Sequence, residues 1–258
     1  MTKEFYIGDT VNRNSIIDFL NKSKEKGNDI YRVKILNKGE AVVRFALPPY
    51  SCEDVQHVYS LSKTFTATAI GMLVDDGVLS VEDYMTDLFP DKLPETISPN
   101  LKALQLKHLL SMNTGHEECV MWKIKECEDI VKAFFSEEIE HAPATHFTYN
   151  NSATYMLSAT VRKVTGKCLF DFLWERLFEP MGMTEVYWSK YHDGNNNGAV
   201  GLHISIDSMA KMGLMYQNGG IYEGKRYLSE EWVKEATSIV SDNSGNGNPD
   251  WCAGYGYQ

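Results

Sequence analysis

Apolar positions change period several times along the 258 residues. Ile16, Ile17, Phe19 and Leu20 recur at helical spacing, with Asn14 or Ser15 as a cap and Gly27 as a stop. The spacing then falls to two. Val33 and Ile35 alternate with Arg32 and Lys34 over Ile30 to Leu36, and Glu40 to Ala46 returns after Asn37-Lys38-Gly39. That pattern predicts a β-hairpin with a glycine-containing turn, and Pro48-Pro49 ends it. From Ser60 the period lengthens again, predicting helices over 60–76, 104–112, 128–135, 152–165 and 169–177. Gly77 and Gly166 fall where a left-handed C-cap belongs. Residues 187–201 combine Tyr187, Trp188 and Tyr191 with Asn195-Asn196-Asn197-Gly198 and read as a loop. Its aromatic residues fit either the wall of a pocket or an interior anchor. A helix follows over 207–216 and another begins near Ser229, while Ser241 to Pro249 has turn chemistry. No internal repeat is present. A hairpin, a long helical block and mixed elements in that order predict an α/β layer interrupted by an all-helical insertion.

Composition narrows the class without changing this outline. The chain is 43% hydrophobic and 23% charged, an ordinary globular profile with enough length for a sizeable core. Net charge is −10 and the 25 basic residues form no run, which argues against nucleic acid as a partner. Five dispersed cysteines, with no CxxC pair, predict free thiols and a reducing compartment. No stretch has the length of a membrane span, and the first residues lack the apolar region of a signal peptide. The expected location is therefore cytoplasmic.

Ser60 and Lys63 carry the candidate chemistry. Serine needs a base before it becomes a useful nucleophile. A spacing of three puts both side chains on one face of a helix, and a lysine serves as base when desolvation keeps it partly neutral. The pattern alone is unspecific: about one chance S-x-x-K is expected in a chain of this composition. Ser23 with Lys26 and Ser208 with Lys211 match it too. The first lies in a charged helix end and the second in a helix whose Met and Leu residues suit core packing.

Context selects Ser60. The run from Val58 to Ile70, VYSLSKTFTATAI, resembles the nucleophile helix of class C β-lactamases and their relatives, the penicillin-binding-protein-like carboxypeptidases and esterases. Phe147 to Tyr155, FTYNNSATY, resembles that superfamily's Y-x-N element, with Tyr149 and Asn151 in the defining places. A second Y-x-N, Tyr216 to Asn218, runs into Gly219-Gly220 and suits a helix end. Leu104 to Gly115, Val164 to Gly166, Phe178 to Met183 and Gly201 to Ala210 continue the resemblance, which spans roughly residues 28 to 258. It implies a two-part α/β (α+β) β-lactamase/transpeptidase-like fold, an antiparallel sheet flanked by helices plus an all-helical subdomain. On that plan residues 1–59 and 202–258 form the sheet region and 60–201 the helical region of one catalytic domain.

The resemblance also implies a function: cleavage of an amide or ester in a small molecule or short peptide through an acyl-enzyme on Ser60. Lys63 and Tyr149 would jointly handle the proton, and Asn151 would hold Lys63 and bind the substrate's amide. Neither cofactor nor metal is implied. His116-Glu117-Glu118 lacks the second histidine of a zinc helix and the seven histidines are dispersed. The competing class is a non-catalytic ligand-sensing or assembly module that keeps the pocket.

The chain departs from the superfamily in one large respect. The third element, K-T-G or H-x-G on a sheet strand, is expected beyond residue 258, so the sheet is expected to be incomplete here and the natural polypeptide longer. Thr165-Gly166-Lys167 has the wrong order, and His192-Asp193-Gly194 falls too early. Smaller departures are Ala144, where relatives often have glycine, and Met112, where many have histidine.

Overall fold

A computed structural model of the protein describes residues 5–258; residues 1–4 of the expected 1–59 segment lie outside the described residues. Strand β1 (Phe5–Ile7) leads into helix α1 (Arg13–Glu25), and β2 (Arg32–Asn37) and β3 (Glu40–Ala46) form the expected hairpin. Lys38 and Gly39 turn it, both at positive φ (51° and 86°), a conformation that matches the twist of paired strands. The sheet order is β1-β3-β2, antiparallel throughout. The cap of α1 is Asn12, whose side chain accepts the Asn14 amide. Of the four apolar residues expected to share its buried face, Ile16 is buried, whereas Ile17 and Phe19 are about half exposed. The reason is angular. Ile16 and Leu20 lie four apart on one stripe, and only the small cluster with Val43 and Phe45 receives it.

A second antiparallel sheet joins distant segments. It has the order β4 (Gln56–His57), β6 (Leu202–Ile204), β5 (Val186–Trp188). Neither sheet closes on itself, and helices flank them beside an all-helical subdomain. The helices that position the site are α2 (Ser62–Asp75), α3 (Leu106–Leu110), α4 (Ile130–Ser136), α5 (Asn151–Thr165), α6 (Leu169–Leu173), α7 (Ile206–Gln217) and α8 (Glu230–Ala236), with shorter turns between them.

Helix α2 is buried on all sides from Phe65 to Leu73; its apolar residues fill the core, and its two threonines, Thr66 and Thr68, bury hydroxyls that are hydrogen-bonded. Small residues let its neighbours come close. A β-carbon at Gly71 would lie 2.3 Å from Nε1 of Trp232 on α8, so the indole ring rests on bare backbone. Helix α5 follows the expected plan. Asn150 caps it by accepting the Ser152 amide, and Gly166 ends it at φ 73°. One half-buried charge cluster ties the first sheet to α7. Asp207 accepts from Arg44 at 2.8 Å and from Lys34 at 2.6 Å. Among the described residues no helix is long and apolar enough to cross a membrane, and all five cysteines are free thiols.

Candidate active site

Ser60 stands in a single tight helical turn, Tyr59–Leu61, immediately before α2. Tyr59 adopts φ 46°, an uncommon conformation for a bulky residue. Its carbonyl accepts a 2.6 Å bond from Ser62 Oγ, which in turn accepts the Leu202 amide at 3.3 Å. The turn is thereby pinned to β6 and presents the Ser60 hydroxyl beside the α2 axis.

Lys63 is 1% exposed. Its Nζ donates to Ser60 Oγ at 3.2 Å and to the Ala199 carbonyl at 3.0 Å, and lies 4.7 Å from the centre of the Tyr149 ring. Among the described residues no carboxylate pairs with it. Burial pulls its pKa down to about 8, with Cys119 opposing the shift. A lysine held this way is mostly protonated at pH 7, yet about a tenth of it is neutral there, far more than for a solvated lysine.

Tyr149 comes from the segment before α5, and its ring lies over the Lys63 amine, with its hydroxyl on the Ser60 side. Burial raises its pKa and the neighbouring Ser60 hydroxyl lowers it, the net shift being upward. Trp251 and Tyr255 meet its ring edge-on at 6.0 Å and 6.2 Å. The structure therefore gathers Ser60, Lys63 and Tyr149 into one cluster, with a hydrogen bond from Lys63 to Ser60 and the Tyr149 ring against the Lys63 amine. Asn151 begins α5, but the second partner of Lys63 is the Ala199 carbonyl. The Oδ1 of Asn151 is buried without a hydrogen-bond partner.

Ala199 is a contact of Lys63 that the sequence did not single out, because the contact is a backbone carbonyl. Its loop is packed firmly. Asn196 is fully buried, with its Oδ1 accepting the Phe170 amide at 2.8 Å and its Nδ2 donating to the Trp188 carbonyl at 3.1 Å. Thr66 donates from α2 to the Gly198 carbonyl at 2.9 Å. Trp188 is buried and donates to Val200, and Tyr191 accepts from Asn197. These two rings anchor the loop, whereas Tyr187 is exposed.

The look-alike motifs have structural partners elsewhere. Lys211 donates to the carbonyls of Met181 and Gly182, and Ser208 accepts from Ser205. The Tyr216 hydroxyl pairs with Thr68 at 2.9 Å, and the His192 ring pairs with the Cys127 carbonyl. His116, in the expected loop, is buried against Thr114, and desolvation lowers its pKa to about 4.

Two hollows lie nearby. One, of about 480 Å³, is lined by Tyr149, Phe147, Glu117 and His146 among others. Another, of about 350 Å³ and mostly apolar, lies between the start of α2, α7 and Tyr257. A larger groove of about 940 Å³ contains none of Ser60, Lys63 and Tyr149. Its charges include the pairs Lys92–Asp129 and Lys163–Asp91.

A family model described as Beta-lactamase matches residues 32–258. The chain is similar to protein flp of Staphylococcus aureus (strain N315), at 23% identity over 57% of this chain and 30% of that protein. It is also similar to penicillin-binding protein 4* of Bacillus subtilis (strain 168), at 27% identity over 54% of this chain and 31% of that protein. The matched stretches thus span less than a third of either relative. Among solved structures, the octameric penicillin-binding protein homologue from Pyrococcus abyssi shares the fold. Its TM-score is 0.74 at 18% identity, over 96% of this chain and 64% of that one.

Proposed function

We propose that this chain, which belongs to the Beta-lactamase family, is a serine hydrolase that cleaves an amide or ester through an acyl-enzyme on Ser60. The observation that carries this reading is the buried Lys63 amine, 3.2 Å from Ser60 Oγ and, among the described residues, without a carboxylate partner. A binding module has no use for a desolvated base aimed at a hydroxyl, and burying that amine is costly.

In the proposed reaction neutral Lys63 takes the Ser60 proton as Oγ attacks the carbonyl carbon. The tetrahedral intermediate collapses, the C–N or C–O bond breaks, and the leaving group receives a proton through Tyr149. Its ring covers Lys63, which donates to Ser60 at 3.2 Å. Water then attacks the ester, giving its proton to the same pair, and the acid leaves with Ser60 restored. Asn151 Oδ1, buried and unpartnered, is proposed to accept a substrate N–H. β-Lactam-like amides, short D-amino-acid peptides and small esters all fit this chemistry. An esterase or amidase acting in the cytoplasm is the form we favour.

The test is covalent labelling of the purified protein by a fluorophosphonate and by a fluorescent penicillin, read by intact mass. The reading predicts a single adduct that Ser60→Ala abolishes. Labelling by the fluorophosphonate alone assigns an esterase, and labelling by both assigns a penicillin-recognising enzyme. A folded protein that takes up neither reagent overturns the proposal in favour of a ligand-sensing or assembly module.

A further inference from the structure

We propose that Glu117, His141 and His146 form a binding site for a divalent transition-metal ion, zinc foremost, on the wall of the cavity that contains Tyr149. The site goes beyond the hydrolase reading and does not depend on it. One ligand atom from each residue lies within 4.8 Å of the others. His141 Nε2 is 2.5 Å from Glu117 Oε2, and His146 Nε2 is 3.7 Å from the same oxygen. The two imidazoles stack with centroids 4.2 Å apart and planes 24° apart, so both rings address one carboxylate. In a tetrahedral zinc site with bonds of about 2.0–2.1 Å, neighbouring ligand atoms are about 3.4 Å apart. The two observed separations bracket that value, and small side-chain rotations close the set.

A hydrogen bond between imidazole and carboxylate accounts for His141 alone. It leaves His146, at 3.7 Å, too far for a bond of its own, whereas a shared ion accounts for both rings. Two imidazoles and one carboxylate suit zinc, nickel or copper better than calcium or magnesium, which prefer all-oxygen shells. Three protein ligands also leave one coordination position open. Glu117 and His146 line the same cavity of about 480 Å³ as Tyr149, so that position is available to water or to a substrate carboxylate there.

The backbone builds this site. The His141 amide donates to Gly115 O at 2.9 Å, Ala144 to Asn113 O at 2.9 Å and Thr148 to Met112 O at 3.0 Å. These bonds lace segment 112–117 to segment 141–148. Gly115 has φ 88°, and a β-carbon there would lie 2.2 Å from the His141 carbonyl, so only glycine permits the approach that brings the ligands together. The surrounding charge favours a cation. Glu140 accepts the Glu117 amide at 3.0 Å, and Lys123 is paired with Glu118 at 2.8 Å.

The test is calorimetric titration of the chelator-treated full chain with zinc chloride, with thermal unfolding in parallel. One ion should bind per chain and raise the melting temperature by mass action. Glu117→Gln, His141→Ala and His146→Ala should each weaken binding about tenfold or more, while His192→Ala leaves it unchanged. Cobalt in place of zinc should give the visible absorption of a four-coordinate histidine site, absent from folded Glu117→Gln. The proposal fails if zinc neither binds stoichiometrically nor stabilises the wild type. It fails equally if the His141→Ala/His146→Ala double variant, folded by circular dichroism, binds zinc as the wild type does.

Discussion

The Nζ of Lys63 donates to the carbonyl of Ala199 at 3.0 Å across 136 residues of sequence. That bond and the 3.2 Å bond to Ser60 are neutral-acceptor contacts, so the buried amine has dipoles around it and, among the described residues, no carboxylate paired with it. Such a group is expensive for the fold and useful to the proposed chemistry. Lys63→Met should therefore abolish covalent labelling of Ser60 while raising thermal stability. Methionine fills similar volume without a charge to desolvate. A gain of roughly 1–3 kcal/mol corresponds to a few degrees in a chain of this size. A variant that unfolds below the wild type would show that Lys63 is a structural rather than a functional residue.

The same group sets the expected pH dependence. Lys63 acts as a base only when neutral, and burial places its pKa at about 8. The acylation rate should rise tenfold per pH unit below that value and level off above it. Stability moves in the same direction. The unfolded lysine keeps its proton up to about 10.5, whereas the folded one loses it near 8. Between these values the unfolded state binds more protons, so stability rises with pH. Of the order of 3 kcal/mol of penalty, fully present below about pH 8, is relieved across that window. Urea titrations at pH 7 and pH 10 check this: the advantage of Lys63→Met over the wild type should shrink at the higher pH.

Ala144 adopts φ 70° at an exposed position, and its amide donates to Asn113 O at 2.9 Å. A β-carbon in the left-handed region costs about 1–2 kcal/mol, and part of the gain from removing it is lost to the freer unfolded chain. Ala144→Gly should stabilise by about 0.5–1 kcal/mol without altering labelling of Ser60. Differential scanning calorimetry reads this directly, and an unchanged or lower melting temperature would mean that the strain is absorbed elsewhere.

What the sequence makes legible here is local. The Lys38-Gly39 turn, the Gly166 cap and the three-residue step from Ser60 to Lys63 each depend on neighbours within one turn or strand end. Tyr149 joins them because its motif, with its resemblance to the superfamily's Y-x-N element, is read from a few consecutive residues. Contacts closed over long separations leave no such trace. Ala199 contributes only a carbonyl, which every residue has. Glu117 and His141 lie 24 positions apart and meet because backbone bonds lace their segments together. The Asn195–Asn197 run reads as solvated polar chain, yet its amides satisfy buried backbone groups. Ile17 and Phe19 read as core and face outward, because periodicity reports a stripe and not how much partner surface is available to cover it.

Gly71 gives a prediction whose sign opposes helix propensity. Within a helix, glycine to alanine ordinarily stabilises by about 1 kcal/mol. At Gly71 a β-carbon would lie 2.3–2.7 Å from three atoms of the Trp232 ring. The ring is 3% exposed and sits on α8, so it has little room to move aside. Relief requires displacing α8 from α2, which opens a seam in the core, and overpacking of this kind costs about 1–3 kcal/mol. Gly71→Ala should therefore be net destabilised. The companion variant Gly71→Ala/Trp232→Leu should recover part of the loss, because the smaller side chain accepts the methyl group. The two substitutions then couple, and a double-mutant cycle by chemical denaturation measures that coupling. Strict additivity would place the ring elsewhere than against Gly71.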